Sequence, residues 1–183
     1  MRRRAAAALL LIALAGLAGA ERARAIAITG TVTGGTTLSA SSTGAPSFGL
    51  TLNGTDQTAT YTLPAQAIDP RGTGAGWNLT VTSTQFSDGA GHTFPAGASS
   101  ITAATNACGT SSTCTTATNS VGYTSLTLPA GPTPPPAVKF FNAATNTGMG
   151  KIDVSTTVSV AVPANVFAGT YTSTVTVSVV SGP

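Results

Sequence analysis

Apolar and polar side chains alternate with a period of two over most of the chain, the spacing that puts every second residue on one face of a half-buried β-strand. Phe48-Gly-Leu50-Thr-Leu52 alternates and runs into Asn53-Gly54, the strongest short hairpin signal, and Ala59-Thr-Tyr61-Thr-Leu63 returns as far as Pro64. Trp77-Asn-Leu79-Thr-Val81-Thr predicts a strand with Trp77, Leu79 and Val81 on one face. Tyr123 to Leu128 predicts another, closed by Pro129, and Val138 to Asn142 a short one after Pro134-Pro135-Pro136. Ile152 to Val154 with Val158 to Val162 reads as one long strand or a bulged pair. Gly169 to Val180 closes the chain, with Tyr171, Ser173, Val175, Val177 and Val179 on one face.

Thr and Val dominate these segments and favour the pleated conformation. No segment after the first 27 residues shows a 3.6-residue apolar period, and Gly and Pro clusters punctuate the strands at sandwich-like intervals. The expected fold is all-β, a single antiparallel β-sandwich of immunoglobulin-like or Greek-key type spanning residues 28–183. A chain of that size buries roughly 70% of its unfolded surface, enough for one core between two sheets. Residues 129–137 read as a stiff surface loop within that domain.

The N-terminus follows a different pattern. Met1-Arg2-Arg3-Arg4 is a positive segment, Ala5 to Ala20 is apolar, and small residues offer cleavage after Ala20, Ala25 or Ala27. That layout predicts a secretory signal peptide over residues 1–27. The apolar run is 16 residues long, short of the ~20 a membrane-spanning helix needs, so no membrane association is expected after cleavage. With no Cys near the cleavage sites and no sortase-type LPxTG, no covalent anchor is expected either.

Charge then changes meaning. The whole chain has a formal charge of +3 and a pI near 9.2, but Arg2, Arg3, Arg4, Arg22 and Arg24 all lie in the leader. Beyond it stand Arg71, Lys139 and Lys151 against Asp56, Asp69, Asp88 and Asp153. The exported part is nearly uncharged, which removes nucleic acid as a partner.

Cys108 and Cys114, separated by Gly, Thr and Ser, predict a local disulfide in an exported protein. A metal site is the competing reading, but His92 is the single His, and no metal or cofactor is expected. His92 sits in a turn-like Asp88-Gly-Ala-Gly-His92 loop, where a hydrolytic triad can be drawn with Asp88 and an abundant Ser. Nothing resembling a nucleophile elbow accompanies it, the four Asp are scattered, and no catalytic residue is expected.

At Gly72-Thr-Gly-Ala-Gly76-Trp77-Asn78-Leu79-Thr80-Val81, followed by Phe86, and at Tyr171-Thr-Ser-Thr174-Val-Thr176-Val177-Ser178-Val179-Val-Ser-Gly-Pro183, the sequence resembles a WxL domain. These are surface modules of Gram-positive bacteria, named for two Trp-x-Leu motifs. The first is present as Trp77-Asn78-Leu79. In the second, the frame from Tyr to Pro fits, but Val177 and Val179 stand where the family has Trp and Leu, so this motif is degenerate. The resemblance implies non-covalent attachment to peptidoglycan or another cell-wall polymer, in company with other surface proteins, with Trp77, Asn78 and Leu79 contributing to binding.

Two roles stay open for Trp77. Its ring can stack on a sugar face while its N–H finds an acceptor, or it can pack in the core with Leu79 and Val81, as alternation favours. In the second case the ligand surface falls on the Asn78, Thr80 and Thr82 face or in nearby loops. A second function class also stands. The closing Thr- and Val-rich strand is similar to those of spore-coat and fimbrial subunits, which assemble into surface filaments by β-strand addition.

Overall fold

Strands β2 (Gln57–Asp69) and β8 (Gly150–Val162) pair antiparallel without interruption from Gln57↔Val162 to Asp69↔Gly150 and form the spine of the molecule. The structure is a computed structural model that describes residues 28–183 apart from residue 125. The signal-peptide reading of residues 1–27, with its cleavage sites, lies outside the described residues. Residues 33–183 form one compact unit.

Two sheets make that unit. In the first, β1 (Ser39–Ser42), β2, β8, β4 (Ser99–Cys108) and β5 (Leu126–Thr127) lie side by side in that order. In the second, β3 (Trp77–Thr84) is central. Antiparallel β9 (Val175–Ser181) pairs with it, as do antiparallel β7 (Val138–Ala143) and the two-residue parallel β6 (Ala130–Gly131). No helix occurs among the described residues, and the fold is an all-β sandwich.

Alternation explains the core. Tyr61, Leu63, Ala65 and Ala67 of β2 point inward with Ile152, Val154, Val158 and Val160 of β8. Trp77, Leu79 and Val81 of β3 meet them from the other sheet, each fully buried. β7 breaks the rule usefully: its register against β3 shifts at Leu79/Thr80. A β-bulge re-aims a side chain in this way, and the adjacent Phe140 and Phe141 are both fully buried.

Several expectations need correction. Phe48 to Leu52 is not a strand and no hairpin joins it to β2. The Asn53-Gly54 turn exists, with Asn53 Oδ1 accepting from Thr55 N and Gly54 in the left-handed region at φ +85°. The chain leaving it pairs with β8, a partner far away in sequence. Pro64 does not end β2. Its carbonyl accepts from Ser42 Oγ at 3.0 Å, so its N-side faces the flank where β1 has already ended. The missing N–H therefore costs no ladder bond, as expected of strand prolines.

β4 was not anticipated, because Ile101 is its only large apolar residue before Cys108. It lies along β8 with a register shift between Ile101 and Ala103. The Tyr123–Leu128 strand shrinks to β5, and the Ile152–Val162 segment is continuous, the bulge lying in its neighbour β4. Within the 129–137 loop, Ala130 and Gly131 pair with Ser83 and Thr84.

Candidate functional site

The glycine-rich approach to Trp77 is a tight turn with three left-handed glycines, Gly72 at φ +67°, Gly74 at φ +64° and Gly76 at φ +72°. A side chain at Gly76 would run into the Ala143 carbonyl, so glycine is required by space as well as by φ. Arg71 holds the turn closed. Its guanidinium donates to both carboxylate oxygens of Asp69, at 2.8 and 2.9 Å, and to the Gly76 carbonyl at 3.0 Å, and it also reaches Ser181 Oγ at the end of β9. The hydrogen bond from Arg71 holds the buried Asp69 carboxyl below the usual carboxylate range, against the opposing effect of burial.

Trp77 takes the core alternative. Its side chain is fully buried, tilted against Phe141 at 6.0 Å, and its indole Nε1–H donates to the Gly148 carbonyl at 2.9 Å. Gly148, at φ +72°, lies so close that a Cβ there would sit 2.7 Å from Trp77 Nε1. Leu79 is buried as completely. This burial leaves neither side chain any surface to offer a ligand. Asn78, on the opposite face of β3, donates from Nδ2 to the Gly182 carbonyl at 2.5 Å. Thr82 Oγ1 donates to the Pro135 carbonyl at 2.6 Å, so this face is largely engaged by the chain itself.

β9 brings the second motif position against the first. Leu79 faces Val179 and Val81 faces Val177 in the antiparallel register. Val177 and Val179 are half-buried and pack on the core edge. The two motif segments form one two-strand unit.

Cys108 and Cys114 are joined by a disulfide. The loop it closes is tied to the Trp77 acceptor strap, Thr115 N donating to Met149 O at 3.0 Å and Gly148 N to Thr115 O at 2.8 Å. His92 is partly exposed but held in place. Its ring pairs with Asp88 at 2.5 Å and stacks on Phe167 at 3.9 Å between centroids, and the hydrogen bond from His92 lowers the Asp88 pKa. Among the described residues no group of three or more His, Cys, Asp or Glu is placed to hold a metal ion.

A groove of about 930 Å³ opens at one end of the sandwich, between the 44–52 segment and the 166–173 loop. An aromatic row crosses it. Tyr61 stacks with Phe48, Phe48 meets Phe86 edge-on, Phe86 leans on Phe94, and Phe94 packs on Tyr171 at 4.4 Å. Phe167 stands 62% exposed on the rim. Sequence reasoning missed this site because its residues come from loops and strand positions far apart in the chain. The only signal was that the aromatics outside the strand cores, Phe86, Phe94 and Phe167, cluster beside Gly- and Pro-rich loops.

The chain matches the WxL domain family, described as surface cell wall-binding, over residues 31–183. It belongs to the WxL domain family. No match was found among curated proteins or among solved structures. WxL domains are wall-binding surface domains and not an enzyme family, so a cell-surface location and a wall partner follow. In this WxL domain, Trp77 and Leu79 of the Trp-x-Leu motif are interior, Trp77 donating to the Gly148 carbonyl and Leu79 lying opposite Val179 of β9, while Asn78 between them is part-buried. No helix among the described residues is long and apolar enough to cross a membrane.

Proposed function

We propose that the protein is exported by its N-terminal leader, carries out no chemistry, and is held on the cell surface by non-covalent binding of the 28–183 domain to peptidoglycan or another wall polymer. The family match over residues 31–183 carries this reading. Supporting it, the exported part is almost chargeless, so wall contact runs through hydroxyls, amides and aromatic rings. Trp77, Leu79, Val177 and Val179 act as scaffold, shaping the strand pair and its flanking loops, and Asn78 fastens the chain end. Other surface proteins share the wall with it.

The filament alternative has less support. β9 pairs with β3 from Trp77↔Ser181 to Ser83↔Val175, so the domain supplies its own closing strand. Sedimentation of the exported protein with purified sacculi tests the wall reading: the protein pellets with sacculi and stays in solution without them. A protein that remains in the supernatant refutes it.

A further inference from the structure

We propose that the groove at the end of the sandwich is the site of polymer contact and that its ligand is an uncharged polysaccharide strand. This rests on the wall-binding reading and adds the place and the chemical class. Its volume, about 930 Å³, falls in the 300–1,000 Å³ range of ligand sites.

Three observations select the ligand. First, the lining holds no Lys, Arg, His, Asp or Glu. The cations of the domain, Arg71, Lys139 and Lys151, are not among its residues, and Arg71 is committed to Asp69. An anionic polyphosphate-type wall polymer therefore finds no counter-charge here.

Second, the aromatic row from Tyr61 to Tyr171 floors the groove: Tyr61 and Phe94 are largely buried in it, and Phe48, Phe86 and Tyr171 are half-buried. Phe167, stacked on His92 by one face, stands exposed at the rim, so the half-buried rings and Phe167 supply the apolar surface. Aromatic rings with polar handles suit ligands that are apolar on one side and wet on the other, as the two faces and the edge of a pyranose are. Six of the chain's aromatic side chains gather at this groove, and only Trp77, Tyr123, Phe140 and Phe141 lie elsewhere.

Third, hydrogen-bonding groups stand ready beside those rings. The 44–52 segment belongs to no strand, and its backbone makes no hydrogen bond to the backbone of any described residue. Apart from the Thr51 carbonyl, which accepts from Gln57 Nε2 at 3.1 Å, its N–H and C=O groups can meet sugar hydroxyls along one wall. Tyr61 makes no side-chain hydrogen bond with a described residue, and burial pushes its pKa up to about 12, so its hydroxyl stays protonated and able to donate.

The test is a ¹⁵N-detected titration of the full exported protein with three probes: a neutral N-acetylglucosamine hexamer, poly(glycerol phosphate), and stem peptides released from sacculi. Sacculus sedimentation is run on the same sample. The expected result is saturable binding of the hexamer, with shifts confined to residues 44–52, Tyr61, Phe86, Phe94 and 166–173. Phe167→Ala, a change at an exposed position, weakens hexamer binding about fivefold, the loss of one ring contact. Tyr61→Phe, which deletes only a hydroxyl, weakens it less.

Preference for poly(glycerol phosphate) or for stem peptides overturns the assignment. So does hexamer binding whose shifts lie outside the groove, and so do groove shifts that follow protein concentration alone, which would place a second copy there. Sedimentation with sacculi in the absence of hexamer binding also overturns it while leaving the wall reading intact. Loss of both removes the wall reading and this inference with it.

Discussion

Leu79 on β3 and Val179 on β9 stand directly opposite each other in the antiparallel register, so the two motif positions are cross-strand neighbours. Leu79 is fully buried and Val179 is half-buried at the sheet margin. The degenerate second motif therefore falls on the more exposed member of the pair. A Val there keeps β-propensity and a branched side chain against Leu79, which is what the strand pair needs.

That asymmetry predicts unequal costs. Leu79→Ala removes a fully enclosed side chain and is expected to cost ~2–5 kcal/mol, whereas Val179→Ala should cost ~1 kcal/mol or less because part of its surface is already wet. Urea unfolding of the two variants checks the order. Equal losses would show that the β9 position is as enclosed as its partner.

Trp77 is the single Trp, so its fluorescence reports on the motif without interference. Emission is expected to be that of an apolar site, with little quenching by acrylamide, and unchanged when the protein binds sacculi. Trp77→Phe removes the donor to Gly148 O and some volume, at a cost of ~2 kcal/mol. A spectral shift on wall binding would place Trp77 in contact with the ligand.

The Cys108–Cys114 disulfide closes a short loop that holds the strap carrying the Trp77 acceptor. The double variant Cys108→Ser/Cys114→Ser is expected to lose ~2 kcal/mol, the chain-entropy value for a loop of this length. Calorimetry on oxidised and reduced protein gives the comparison. Faster amide exchange should be confined to residues 108–118 and 144–150.

Asp69 sets an acid dependence. Its folded pKa is lowered by the Arg71 hydrogen bond, while an unfolded Asp titrates near ~3.9. The contribution is therefore fully present above about pH 4 and is lost as pH falls through the folded value. Asp69→Asn should cost ~2 kcal/mol at neutral pH, because Arg71 loses its partner, and the gap from wild type should close toward pH 2. A gap that stays constant across the range would remove the ion pair from the account.

Much of the fold was legible because alternation survives wherever a strand has one buried face: Trp77, Leu79 and Val81, or Val158, Val160 and Val162, announce both strand and face. β4 was not, since its small and polar residues are held by pairing to β8 and not by their own burial. Phe48 to Leu52 misled for the opposite reason. Its alternate Phe48 and Leu50 do turn toward apolar surroundings, but those are a groove wall built by Tyr61 and Phe86. The motif at Trp77 pointed to the family, and alternation already favoured its interior role. The groove was invisible because its rings come from strand β2 and from loops whose meeting depends on long-range pairing.

Wall attachment is tested most directly by co-sedimentation of the protein spanning residues 28–183 with purified sacculi in low salt and in about 0.5 M salt, where exposed charges are screened. With so few charges beyond residue 27, the protein should pellet saturably and to the same extent in both. A protein that stays in the supernatant, or that leaves the sacculi as salt rises, would contradict a wall-binding domain that works through rings and hydroxyls.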